Sequence, residues 1–377
     1  MKVYLDNAAT TPMAPEIIEL ISEMMKTNFG NPSSVHECGR KSKIIIETAR
    51  KTIATLLNAA PKTIFFTSGG TEADNMAIKC GIYDHNITHA ITSKLSHHAV
   101  LYPLEDLAAE GKIQLSYIDI DENGVVSLTH LQKLLKENPR TFVSIMHANN
   151  EIGTIQDIKT IGDICKEYNA IFHSDTVQTI AHYPFDMQEL KVDFMVASAH
   201  KFHGPKGVGF MYISEDIQIK PFLRGGGQER NMRAGTENIY GIAALAKAME
   251  MAYDHLEEEA AYIKSLKYYM IEKFKTEIPE AQFYAKCTDM DNSLYTVLSV
   301  SLPVTKIAEM LLFNLDILGI ACSGGSACSS GSNTGSHVLS AISPDSKRPG
   351  VRFSFSKYNT KEEIDYTMEK LRTTPGI

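Results

Sequence analysis

The chain has 377 residues, of which 44% are hydrophobic and 22% charged, ordinary values for a globular protein. At about 150 residues per domain, that length implies two or three domains. A net charge of −8 and a pI near 5.9 argue against a non-specific nucleic-acid binder, and no apolar stretch reaches the ~20 residues of a membrane span.

In chain order, the N-terminal MKVYLDNAATTP meets charge at Asp6, too early for a secretory leader, so a cytoplasmic protein is expected. Residues 62–67 (KTIFFT) read as a strand, followed by the polar turn SGGTEADN and a helical stretch. Short apolar runs at 90–93, 113–118, 141–147, 170–174, 192–197 and 207–213 read as further strands. Between several of them lie amphipathic patterns, such as Ile158, Ile161, Ile164, Cys165 and Tyr168. Strands alternating with helices imply an α/β fold with a mainly parallel sheet covered on both faces. From about Thr236 a helical pattern runs to about Lys275, through Ile242, Leu245, Met249, Tyr253 and Leu256. The domain boundary is placed inside it. A large domain then covers residues 12–250, and a smaller α+β domain covers 251–377 together with 1–11. That smaller domain is expected to hold strands near 295–302 and 350–355 and a helix over 304–314.

The polar clusters SGGTE, HANNE, HSDTVQ and SAHKFHGPKG each follow an apolar run. They therefore fall where parallel sheets bind ligands, beyond the carboxyl ends of the strands. Lys201 sits in SAHKFHGPKG. Alone, such a lysine is more often a surface residue, but a desolvated amine is what Schiff-base chemistry needs. Asp175 in HSDTVQ suits the partner of a pyridinium nitrogen, and equally a turn or helix cap. The glycines of SGGTE (68–72) let backbone approach a phosphate at a helix N-terminus. Neither a Walker A loop nor a convincing GxGxxG fingerprint occurs. The six cysteines (Cys38, Cys80, Cys165, Cys287, Cys322 and Cys328) show no CxxC pair. Neither a disulfide framework nor a metal site is expected, and most read as small buried hydrophobes. Cys328 is the exception, in the Ser/Gly-rich stretch SGGSACSSGSNTGS (323–336), whose composition suits a mobile loop.

Taken together, the ordered motifs are far more specific than any one of them. They are YLDNAATTP (4–12), GNPSSVH (30–36), FTSGGTEADN (66–75), SHHAV (96–100), NNEIGTIQ (149–156), HSDTVQ (173–178), SAHKFHGPKG (198–207), GGGQER (225–230), RAGTEN (233–238), GSACSSGSNTGSHVL (325–339) and VRFSFS (351–356). Over nearly its whole length the chain resembles the NifS/IscS-like cysteine desulfurases of the class V aminotransferase family. The resemblance implies the type I fold of pyridoxal-phosphate (PLP) transferases, with PLP as cofactor and Lys201 as its Schiff-base lysine. It implies Asp175 at the pyridine nitrogen, Gln178 at the ring hydroxyl, and His97 stacked on the ring and moving protons. Gly70, Thr71, Ser198 and His200 match the phosphate site, completed by Thr236 of a second subunit, so a homodimer is implied. Asn150 and Arg352 match the holders of the substrate carboxylate, and Cys328 matches the catalytic cysteine. The implied reaction converts L-cysteine to L-alanine and leaves a persulfide on Cys328. Its sulfur would pass to an acceptor such as an iron–sulfur scaffold or a tRNA-thiolation enzyme. Selenocysteine lyase, another class V reaction and a partner-activated sulfur-transfer scaffold stay open as alternatives.

The chain departs from the family pattern at Ser96, where an acidic residue is common, at Ser174 and Thr176, and at Asn231. Ser96 bears on the orientation of His97. Arg224 reads as an anion contact or a solvated charge, and Cys322 as a strand-end core cysteine or a redox partner of Cys328.

Overall fold

The computed structural model describes residues 1–304, 310–324 and 335–374. Its strands are β1 (Val3–Tyr4), β2 (Ile64–Thr67), β3 (His89–Thr92), β4 (Gln114–Tyr117), β5 (Thr141–Ser144), β6 (Ile171–Asp175), β7 (Phe194–Ser198), β8 (Gly209–Ile213), β9 (Gln282–Phe283), β10 (Val297–Ser301), β11 (Ile320–Ala321) and β12 (Gly350–Ser354). Its helices are α1 (Pro15–Thr27), α2 (Glu37–Leu56), α3 (Gly70–Asp84), α4 (His98–Ala109), α5 (Leu128–Glu137), α6 (Ile158–Glu167), α7 (Ile239–Asp254), α8 (Leu256–Glu277), α9 (Leu311–Ile317), α10 (His337–Ile342) and α11 (Lys361–Thr373).

A seven-stranded sheet in the order β2-β8-β7-β6-β5-β3-β4 forms the centre. The edge strand β2 and the inner strands β5 and β7 are all buried, which is why IFFT, TFVS and FMVAS read as unbroken apolar runs rather than alternating ones. All pairings are parallel except those of β8, which runs antiparallel to β2 and β7. Because β8 reverses, β2 again points the same way as β7. The C-terminal ends of β2, β3, β5, β6 and β7 therefore share one edge of the sheet.

The helical pattern over 236–275 is two helices, α7 and α8, broken at His255, whose backbone leaves the helical region (φ −118°, ψ 16°). The periodicity is continuous because each half is amphipathic, but the halves serve different cores. Ile242, Leu245 and Met249 join the core beside the central sheet. Ile263, Leu266, Met270 and Phe274 join a second core with β10, β12 and α11. That second core also takes in the N-terminus, since Val3 and Tyr4 pair in parallel with Ile320 and Ala321. Of the helix read over 304–314, residues 305–309 lie outside the described residues, and α9 runs three residues further.

One buried ion pair holds a strained loop in place. Glu229, Arg230 and Asn231 adopt φ of +43°, +57° and +66°, three successive left-handed residues without a glycine. Such a conformation costs roughly 1 kcal/mol per residue or more. The Glu229 carboxylate accepts two hydrogen bonds from Arg50 of α2, both at 2.9 Å, and a third from the Phe66 backbone N–H at 2.8 Å. Arg50 also donates to the Ile64 carbonyl. Removing one charge strands the other in the core. Glu229→Gln is therefore expected to cost ~3–5 kcal/mol, read as a lowered urea midpoint; an unchanged midpoint would show that the pair anchors nothing.

Candidate active site

The shared strand edge opens into a cavity of ≈ 330 Å³. Its wall is assembled from the turns that leave the strands. Gly70 and Thr71 follow β2, His97 and His98 follow β3, and Asn150 and Glu151 follow β5. Asp175, Val177 and Gln178 lie at the end of β6, and Ser198, His200 and Lys201 at the end of β7. Ala8 and Ala9 of the N-terminal segment and Arg352 of β12 close it from the second core.

Local geometry explains several residue choices. Gly69 caps α3 with φ +151°, a conformation that favours glycine. A Cβ on Gly70 would come within 2.8 Å of Val177 Cγ2, so only glycine lets the helix start this close to the cavity wall. The N-terminus of α3 thus presents free N–H groups beside the Ser198 and His200 side chains. Glu72 fixes this turn, accepting from the Ser68 N–H (2.9 Å) and from both Arg233 nitrogens (2.7 and 3.0 Å). His97 caps α4, with its Nδ1 accepting from the Ala99 N–H at 3.1 Å. That bond places the ring's proton on Nε2 in the neutral imidazole. Lys201 Nζ donates to the carbonyls of Ala8 (2.6 Å) and Ala9 (2.8 Å), and Gln178 Nε2 also donates to Ala8.

The electrostatics are uneven. Burial pushes the Asp175 carboxyl up from its ordinary range, against the charges of His97 and Lys201 and the Val177 N–H at 2.9 Å. Burial likewise pushes the His200 imidazole down to about 4, helped by Lys201 and Lys206, so it is neutral near pH 7. Arg352 is 3% exposed and donates to Asp6 Oδ1 (2.8 Å) and the Asn150 carbonyl (2.9 Å). Its Nε has no hydrogen-bond partner among the described residues. A buried guanidinium N–H without a partner is costly, and it suits a carboxylate ligand.

Of the residues singled out in the sequence, Lys201, His97, Asp175, Gln178, Gly70, Thr71, Ser198, His200, Asn150 and Arg352 all line this cavity. Thr236 does not; it is exposed on the loop before α7. Cys328 and the mobile-loop reading lie outside the described residues. Ser96 turns inward: its hydroxyl lies 3.0 Å from Thr92 Oγ1, and its carbonyl lies 3.1 Å from His337 Nε2. The orientation of His97 rests on its cap instead. Arg224 is exposed. Cys322 directly follows β11 and packs against the second core, its thiol pushed up to about 12 by burial and Asp6. Cys80, Cys165 and Cys287 are buried as expected, whereas Cys38 is exposed. The sequence reading passed over Asp74, His98, Glu151 and His337, which also line the cavity, and Asp6, which orients Arg352. All five lay inside the quoted motifs, but nothing local distinguished them from capping or solvated residues.

The strand-edge cavity, with its amine, buried carboxyl and helix N-terminus, and the fold around it are those of an α/β enzyme of the type I PLP-transferase fold. Residues 3–367 match the family described as aminotransferase class-V, and the chain belongs to that family. Its relatives there are the cysteine desulfurases. The one named cysteine desulfurase IscS in Dictyoglomus turgidum is 43% identical over 383 residues, 99% of this chain and 96% of the relative. A solved NifS-like protein superposes with a TM-score of 0.89 at 37% identity, covering 99% of this chain and 98% of the other. SspA, solved in complex with cysteine, superposes with a TM-score of 0.81 at 30% identity, over 96% of this chain and all of SspA.

Proposed function

We propose that this chain is a PLP-dependent cysteine desulfurase that takes the sulfur of L-cysteine onto Cys328 and releases L-alanine. The observation that carries the reading is the convergence of Lys201, Asp175, His97 and Arg352 on one cavity, in a chain whose relatives bear that name.

The residues fit PLP group by group. Lys201 offers an amine for the aldehyde, and Asp175 a buried carboxylate for the ring nitrogen. Gln178 offers a donor for the ring hydroxyl. The α3 N-terminus, with Thr71, Ser198 and His200, forms a cradle for the phosphate that a side chain at position 70 would fill. Bound there, PLP supplies an electron sink for bonds at the substrate α-carbon. Arg352, with Asn150 beside it, holds the substrate carboxylate. Lys201 Nζ would take and return the α-proton. His97, carrying its proton on Nε2, manages the proton at the substrate sulfur. The Cys328 thiolate attacks that sulfur; the new S–S bond forms as the substrate C–S bond breaks, the electron pair left on the β-carbon takes up a proton, and alanine leaves.

Residues 12–250 are read as the large domain and 251–377 with 1–11 as the small one, in keeping with the two cores. A homodimer is proposed because a groove lined by Thr10, Ser68, Thr71 and Lys206 opens beside the phosphate cradle, where Thr236 of a second copy would complete it. No described helix is long and apolar enough to cross a membrane. We place the enzyme in the cytoplasm and its sulfur acceptor among thiol-bearing proteins such as an iron–sulfur scaffold.

The test is alanine release from L-cysteine by the PLP-loaded protein with a reductant present. Alanine and sulfide in equal amounts are expected, and no alanine would overturn the reading. Arg352→Lys keeps the charge but loses the planar fork. It is expected to raise KM for cysteine ~10–100-fold with little change in the cofactor spectrum; an unchanged KM would remove Arg352 from the carboxylate site.

A further inference from the structure

The cavity wall holds a second carboxyl that the proposed reaction does not use. Asp74, on α3 one turn beyond Gly70, is 2% exposed. Its Oδ1 lies 3.3 Å from Nε2 of His173, a fully buried residue of β6 two positions before Asp175. Neither atom has a hydrogen-bond partner among the described residues, so two buried, unsatisfied polar atoms face each other. The other nitrogen of the ring, His173 Nδ1, lies 2.8 Å from Ser144 Oγ on the neighbouring strand.

We propose that Asp74 is a positioning residue, a carboxylic acid that shares its proton with His173 and so leaves Asp175 as the anionic carboxylate of the site. The inference rests on the PLP reading above and concerns how the chain prepares for that cofactor.

Two carboxyls on one dry wall cannot both ionise cheaply. Asp175 has the better claim to the charge: it accepts the Val177 N–H and feels His97 and Lys201. Asp74 has neither help. Burial and the nearby Asp175 both push its carboxyl well above the ordinary range. His173 does not offset this, because burial pushes its imidazole down to about 3 and keeps it neutral. A neutral ring beside a neutral carboxyl satisfies both in one arrangement. A proton on Asp74 would let its O–H turn to Nε2, 3.3 Å away, while Nδ1–H donates to Ser144 Oγ. His98, Glu151, His200, His337 and Arg352 also line the cavity but act on neither carboxyl.

The consequence is a fixed division of charge. At neutral pH the ring nitrogen of the cofactor meets one negative charge, on Asp175. Once Asp74 ionises at alkaline pH, it meets two.

The test is infrared spectroscopy of the holoenzyme in D2O, parent against Asp74→Asn. A protonated-carboxyl C=O band at neutral pH is expected in the parent and absent in the variant. In the parent, alkaline titration should remove that band and shift the cofactor's visible absorption with the same midpoint. Asp74→Asn should abolish that absorption inflection, and His173→Gln should move it by ~1 pH unit. A parent without the band, or a band and inflection that survive Asp74→Asn, overturns the proposal. If Asp74→Asn does not fold, the titration of the parent alone decides between the outcomes. The desulfurase reading fails separately, through absent alanine release, because the infrared band needs no turnover.

Discussion

Cys328→Ala is expected to lower alanine release from L-cysteine at least ~10³-fold, while cofactor uptake stays at the parent level. The cavity supplies everything needed to bind an amino acid and loosen its α-proton, but no thiol lines it among the described residues. The chain's other cysteines cannot stand in. Cys80, Cys165 and Cys287 are buried, and burial pushes each thiol upward, to about 12 for Cys80 and about 11 for Cys287. Cys322 is held protonated in the same way, and Cys38 is exposed on α2 away from the cavity. A thiol is the reactive species only as thiolate, so neither the three buried cysteines nor the half-buried Cys322 offers a nucleophile at neutral pH. Amino-acid analysis of the reaction mixture reads the result. Equal alanine from parent and variant would keep the cofactor chemistry and remove Cys328 from it.

The second large effect is Lys201→Ala. Its Nζ lies at the meeting point of the cavity and the N-terminal segment, bonded to the Ala8 and Ala9 carbonyls. The same atom is asked to hold the cofactor covalently and to move the α-proton. The variant is expected to retain PLP through the phosphate cradle, lose the visible band of the lysine-bound form, and turn over ~10⁴-fold more slowly or worse. Absorption spectra before and after borohydride separate the roles. A variant that still fixes PLP on reduction would mean that another amine carries the cofactor. The null result for Asp175 differs in kind: Asp175→Asn should keep the covalent link and lose the electron sink.

Much of this was legible in the sequence because the fold writes itself in local patterns. The central strands are short apolar runs flanked by polar turns, since strands covered on both faces have no wet side. Their ligand-binding turns sit directly after them, so SGGTE, HSDTVQ and SAHKFHGPKG marked the site before any contact was known. The long pattern from 236 to 275 misled on one point: two amphipathic helices with the same period join without a glycine or proline, and only the separate cores reveal the break at His255.

By itself, then, the sequence determined the α/β class, the residues that come to line the cavity and the order of the turns that carry them. Tertiary structure decided what those groups touch. Asp6 and Arg352 lie 346 positions apart and meet at 2.8 Å because β1 pairs with β11 and the N-terminal segment runs on beside β12. Asp74 and His173 lie 99 positions apart and meet because α3 packs on β6. Sequence pattern reports which face of an element is buried; it does not report which buried polar groups are left facing each other once distant elements close. Those encounters set the charges of the site.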